Sequence, residues 1–264
     1  MMNRSVVYAA ILALALLAAA GMGAQAETFI GYQLPTFIEF PGGTAADSIS
    51  SQIAYTACEN MYYAGASVIR QKQKWSDGSI TQSTDGSALF GLGLGKCRGN
   101  AVELSVTVGD VSAFSDIFYN VKALVTPETK DMPAIAVGAE DVTDTARTAQ
   151  AERSIYAVAT KSIWSRKRVE AGDPLFARSV ISVGFGSGRF GDSPFVAAST
   201  SLSARSKAIV ELVDSDVNAG FSLTPLREYP GVVVVVGGMR LNDSDLRTVS
   251  AGLGITFWKG EAGL

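Results

Sequence analysis

From about residue 61 onward, hydrophobic and polar positions alternate along the chain. Val102, Leu104, Val106 and Val108 share one parity, with Glu103, Ser105, Thr107 and Gly109 on the other. Ile117, Tyr119, Val121, Ala123 and Val125 alternate with Phe118, Asn120, Lys122 and Leu124. The same pattern returns at Ile135–Glu140, Ile181–Gly186, Ala208–Val213 and Ser250–Phe257. A period of two is the mark of β-strands, because successive side chains point to opposite faces. No stretch beyond residue 26 shows a convincing amphipathic helix. Twelve segments are expected, beginning near 61, 84, 100, 115, 131, 152, 176, 192, 206, 216, 230 and 246.

Alternation alone does not choose between a soluble sandwich and a membrane barrel. In a sandwich the apolar face meets a core and the polar face meets water. In a membrane barrel the apolar face meets lipid and small or polar residues face the lumen. Three features favour the barrel. The segments run about ten residues, the length of a tilted crossing. The polar parity is mostly Gly, Ser, Thr and Ala, where a water-facing sheet carries more Lys and Glu. Turn residues separate nearly every run, as in an up-and-down meander. The expected fold is therefore all-β, an antiparallel up-and-down transmembrane β-barrel of about twelve strands, with ten or fourteen also open because such barrels use even numbers.

Composition agrees with this expectation. Of 264 residues, 27 are glycine and only 18% are charged, a glycine-rich and charge-poor balance for a soluble enzyme. The net charge of −3 offers no basic surface for nucleic acid. There is no histidine, which removes the commonest general base and metal ligand, so no enzyme and no cofactor are expected.

Residues 1–26 read as a cleaved signal peptide: Arg4, an apolar run from Val6 to Ala20, then Ala24-Gln25-Ala26. The run is short for an anchor, which takes about 20 apolar residues. Residues 27–57, with Pro35 and Pro41, are expected to form either an extra strand or a lumen plug, since proline disfavours a central strand. Residues 58–264 are assigned to the barrel.

The two cysteines, Cys58 and Cys97, suit a structural disulfide in an exported protein. Asp77-Gly78 is a strong two-residue hairpin turn. If it closes the first hairpin, Cys58 faces Cys97, Tyr63 lies beside Leu92, and Tyr62 beside Gly93.

Several phrases resemble the YjbH-like outer-membrane β-barrel proteins. They are Leu34–Pro41, Val121–Val142, Val183–Gly191 and Glu211–Gly220, in the family's order. The better-known members are far longer, and this chain has room for a single barrel. Barrels of this kind tend to end on an aromatic residue, whereas Phe257-Trp258 is followed here by six more residues. The resemblance implies an outer-membrane location and a role in exopolysaccharide production or export, with polysaccharide, export machinery and outer-membrane lipid as partners.

Parity places Glu103, Lys122, Glu140 and Glu211 on the lumen face. With Arg189 they are the candidate lining of a path for a saccharide or other polar solute, the alternative being salt bridges that brace a closed barrel. Gly184, Gly186, Gly188 and Gly191 read as curvature points and a tight turn rather than a phosphate loop, because no helix follows. Asp214, Asp216 and Asn218 read as a turn rather than a calcium site, and no metal is expected. Tyr62, Tyr63, Trp75, Tyr119, Tyr156, Phe185, Phe257 and Trp258 are candidates for interfacial rings or for ordinary packing. Three function classes follow: an export or transport barrel, a structural or assembly barrel with a filled lumen, and a soluble secreted β-sandwich binding module.

Overall fold

The computed structural model describes residues 47–74, 79–96, 99–111, 115–144, 153–173, 175–226, 231–243 and 248–258. Twelve strands follow in order: β1 (Met61–Lys74), β2 (Ile80–Gly95), β3 (Ala101–Asp110), β4 (Ser115–Thr126), β5 (Ala134–Glu140) and β6 (Ser154–Trp164), then β7 (Arg178–Gly186), β8 (Ser193–Ser203), β9 (Ser206–Val213), β10 (Asp216–Leu223), β11 (Val232–Met239) and β12 (Thr248–Trp258). Each pairs antiparallel with its chain neighbour, and β1 pairs with β12 from Met61↔Trp258 to Arg70↔Val249. The sheet is thus a closed up-and-down barrel without a free edge. Met61 and Trp258 lie at the same end, here the terminal rim; the opposite end is the far rim.

Burial orients every strand whose side chains are described. Leu104, Tyr119, Val137, Val183, Phe185, Val210 and Leu212 are exposed on the outer surface. Phe118, Leu124, Ala136, Ser182, Ile209 and Glu211 are buried on the inner one. The apolar parity therefore faces outward and the small or polar parity inward, the reverse of a soluble sandwich sheet.

Inward glycines make room for inward rings. A Cβ at Gly184 would stand 2.2 Å from Phe195 Cζ, and one at Gly138 would stand 2.4 Å from the Tyr156 ring. Gly91 and Gly186 are covered in the same way by Tyr63 and Phe190. Phe190 stacks on Phe195 at 4.6 Å and meets Tyr156 edge-on at 5.8 Å, so three rings fill one side of the lumen. Gly184 and Gly186 thus seat aromatic rings rather than simply bending the strand. Gly188 and Gly191 do form the tight turn, both at positive φ.

The first hairpin departs from its expected register. Tyr62 faces Leu92, Tyr63 faces Gly91 and Lys74 faces Ile80, so five residues, not two, separate the strands. Asp77-Gly78 itself lies outside the described residues. The one-residue difference decides which parity is inside. The observed register keeps Phe90 and Leu94 exposed outside and puts Gly91 and Gly93 inside, where the Tyr63 ring and the Cys58 backbone need the space. Cys58 itself lies outside the ladder. It precedes β1, is fully buried, and its Sγ lies 3.4 Å from Met61 Sδ. Cys97 lies outside the described residues. So do residues 1–46, Trp75 and the side chains of Phe257 and Trp258.

Candidate functional site

The site is the lumen, and a stretch of the chain itself occupies it. Residues 47–58 run inside the barrel, nearly every one fully buried. At Asn60, with φ of 66°, the chain reverses into β1, and Glu59 bridges Gly93 at the terminal rim. Traced backwards, Tyr55 touches Glu128 and Ser162 near that rim. Gln52 and Ser50 then reach Glu140 and Arg189 toward the far rim, and Asp47 returns to Lys207 low on β9. The segment is a loop inserted from the terminal rim, with its apex at Ser50–Gln52.

Its polar groups are met by the wall. The Glu211 carboxylate accepts the Ile49 amide at 2.7 Å and the Ser50 amide at 3.0 Å. It also accepts the Ser50 and Ser51 hydroxyls at 2.7 and 2.9 Å, and the Ser51 amide at 3.3 Å. Consecutive backbone N–H groups aimed at one anion form a concave dipolar cradle. No cation pairs with Glu211 among the described salt bridges, so these donors offset its buried charge. Asn218 joins the cluster by donating to Ser50 Oγ at 2.9 Å. Ile49, beside the cradle, packs its Cδ1 onto the backbone of Gly220 and Gly237.

The other expected lining residues behave alike. Glu103 and Lys122 form a buried ion pair at 3.0 Å across β3 and β4. Glu103 also accepts the Tyr63 hydroxyl at 2.7 Å and the Ala57 amide at 2.9 Å. Arg189 sits on the short 3-10 turn Gly188–Phe190 and points inward over the Phe190 ring. It pairs with Glu140 and donates to the Ser50 carbonyl at 3.0 Å. Gln52 donates to Glu140 at 2.6 Å. The five residues therefore form three clusters, each holding the internal segment.

Sequence reasoning missed further groups. Asp47 accepts from Lys207 at 2.9 Å, and Arg178 approaches it at 3.8 Å. Lys207 shares the inward parity of Ile209 and Glu211, so the alternation already marked it. Asp47 stands in a stretch without alternation and carried no such signal. Tyr55 is a third case: burial first, then the Glu128 carboxylate at its hydroxyl, pushes the phenol above its ordinary range and keeps it a donor.

Asp214 and Ser215 make the two-residue turn between β9 and β10. Asp216 pairs with Arg240, and Asn218 points into the lumen. The three do not converge, and no group of potential metal ligands gathers among the described residues.

The buried ion pair supports a direct test. Replacing Lys122 by methionine leaves Glu103 charged and short of its cation in a water-poor interior. The expected loss is roughly 3 kcal/mol in unfolding free energy, read by denaturant titration in micelles. Adding Glu103→Gln should return part of that loss; a neutral effect of the single change would show the pair to be well solvated.

The sequence matches no known family profile and no characterised protein. Among solved structures, an outer membrane channel of Pseudomonas putida F1 is similar at 8% identity and a TM-score of 0.45, covering 83% of this chain and all of that one. Neisserial surface protein A is similar at 12% identity and a TM-score of 0.23, over 76% of this chain and all of that one. Ail, the attachment invasion locus protein of Yersinia pestis, follows at 7% and 0.20, over 76% of this chain and 98% of that one. These values are too low to carry a function across, and the barrel is established by the chain's own closed strand pairing.

Proposed function

We propose that this chain is a non-catalytic outer-membrane β-barrel whose lumen is closed by its own residues 47–58. The outward apolar parity supports the lipid setting: a surface of Tyr119, Val137, Val183, Phe185, Val210 and Phe221, each more than 40% exposed, suits hydrocarbon better than water. The observation that carries the closed state is the engagement of Glu103, Glu140, Arg189 and Glu211 by the internal segment, with Lys122 held to Glu103. Charges that line an open path stay hydrated; these do not. A twelve-stranded wall is wider than the eight-stranded barrels that side chains alone can fill, which leaves room for such a segment.

A second reading, passage of a polar solute such as exopolysaccharide, has one feature in its favour. Both legs of the loop come from the terminal rim, so the segment can withdraw without threading through the barrel. The resemblance to exopolysaccharide-associated barrels supplies the solute class for this reading, and export machinery on the terminal side would be the natural agent of withdrawal.

The test is fractionation of expressing cells, an unheated and boiled gel, and conductance of the purified chain in a planar bilayer. An outer-membrane protein with a heat-dependent mobility shift and little steady current is expected. A soluble periplasmic protein would overturn the membrane setting, and a large steady current would overturn the closed lumen.

A further inference from the structure

The two rims differ in charge and in relief. The far rim carries Asp116, Asp141, Asp144, Asp192, Asp214 and Asp243, mostly in tight turns. The terminal rim mixes Lys96, Lys130, Arg166, Lys167, Arg168 and Arg205 with Glu128, Asp131, Glu170 and Asp173 in its described connections, and so lacks the acidic excess of the far rim. The largest of these connections, residues 165–177 between β6 and β7, is a built structure. Arg166–Glu170 form a short helix, α1. Ser165 N donates to Ala177 O at 2.9 Å, closing the base, and Phe176 N donates to Ser201 O at 2.6 Å, tying the loop sideways onto β8. Arg168 pairs with Asp173 and stands 5.7 Å from the centre of the Phe176 ring.

This scaffold presents apolar side chains that stand exposed among the described residues. Phe176 is 47% exposed and Leu175 37%, in the loop just beyond the outward Ile163 and Ile181 of the apolar belt, whereas Trp164 keeps the inward parity of Thr160 and Ser162 and lies against Arg178 at the lumen mouth. Phe176 holds a φ of 55°, a region that bulky residues rarely occupy. Strain of that kind persists only when the surroundings impose it, and here the bond to Ser201 and the Arg168 contact do so. In the same loop, Arg166 and Lys167 are exposed and have no ion-pair partner among the described residues. An exposed aromatic ring and a leucine in one loop with these cations, at the edge of an apolar belt, match the boundary where acyl chains meet headgroups.

We infer that the 165–177 loop is a docking surface for anionic phospholipid headgroups in the leaflet facing the terminal rim. Leu175 and Phe176 enter the interface, and Arg166 and Lys167 contact the lipid phosphates. The surface rests on the membrane setting proposed above. It fixes which end of the barrel faces that leaflet, because the aspartate-rich far rim would be repelled by the same headgroups.

The full chain, folded in neutral detergent, is titrated with phosphatidylglycerol and with phosphatidylcholine, and bound lipid is counted after gel filtration. Roughly tenfold preference for phosphatidylglycerol is expected, falling as salt rises. Arg166→Glu with Lys167→Glu should abolish the preference without altering the heat-dependent gel shift. Leu175→Ser should weaken retention of both lipids. Inorganic phosphate added as competitor should have little effect, since the apolar contacts belong to the lipid alone. Equal retention of the two lipids, a preference that survives the double charge reversal, or full competition by inorganic phosphate would overturn the docking surface. A chain that folds without detergent would instead overturn the membrane setting, so the two failures are distinguishable.

Discussion

Replacing Glu211 by alanine is expected to loosen the internal segment and to cost roughly 3–5 kcal/mol in stability. The carboxylate accepts from three consecutive amides and two hydroxyls, all buried. Removing it leaves those donors facing one another with no acceptor, and each unsatisfied buried donor costs about 1–3 kcal/mol. Water entering the vacated volume would recover part of this. Glu211→Gln is the informative companion, because it keeps the shape and one acceptor oxygen while losing the charge. The expected order of unfolding midpoints is wild type, then Gln, then Ala. Limited proteolysis near residue 50 and bilayer current should both rise in the alanine variant. Unchanged midpoints in both variants would show that Glu211 does not anchor the segment.

The second large effect is expected at Gly184. A valine there would drive its Cβ against Phe195 Cζ at 2.2 Å and close to Ala157 O at 2.7 Å. The ring cannot give way freely, because it stacks on Phe190. Overpacking of this kind typically costs 1–3 kcal/mol, and about 3 kcal/mol is expected here because backbone is also struck. Phe195→Ala in the same chain should relieve part of the penalty, so the double variant loses less than the two single losses added. The unheated gel shift and denaturant titration read both. A tolerated Gly184→Val would mean that the ring lies elsewhere.

Much of the barrel was legible in the sequence because a period of two leaves little freedom. The parities of Leu104, Tyr119, Val183 and Val210 named the outer face, and the twelve segment starts fell close to those observed. The parity of Glu103, Lys122 and Glu211 likewise named inward charges. Their partners were not legible. Ser50 and Ser51 contribute backbone amides, which every residue possesses, and hydroxyls in a stretch without alternation, so no pattern distinguishes them. Asp47 meets Lys207 only because the chain folds back 160 residues later. The register of the first hairpin failed for a different reason. Local turn chemistry at Asp77-Gly78 favoured a two-residue connection, but the outward positions of Phe90 and Leu94 and the ring-on-glycine fit of Tyr63 and Gly91 favoured another register, and packing over the whole strand prevailed.

The internal loop also sets an order of assembly. Its firmest ties, to Glu211 and Asn218, span 160 to 168 residues, while its ties to Glu103 span only 46. Bringing such distant positions together is entropically slow. Asp47–Cys58 is synthesised ahead of every strand, yet its acceptors on β9 and β10 follow near the end. The segment built first is therefore completed last, and until then it must be kept from pairing with the open edge of β1.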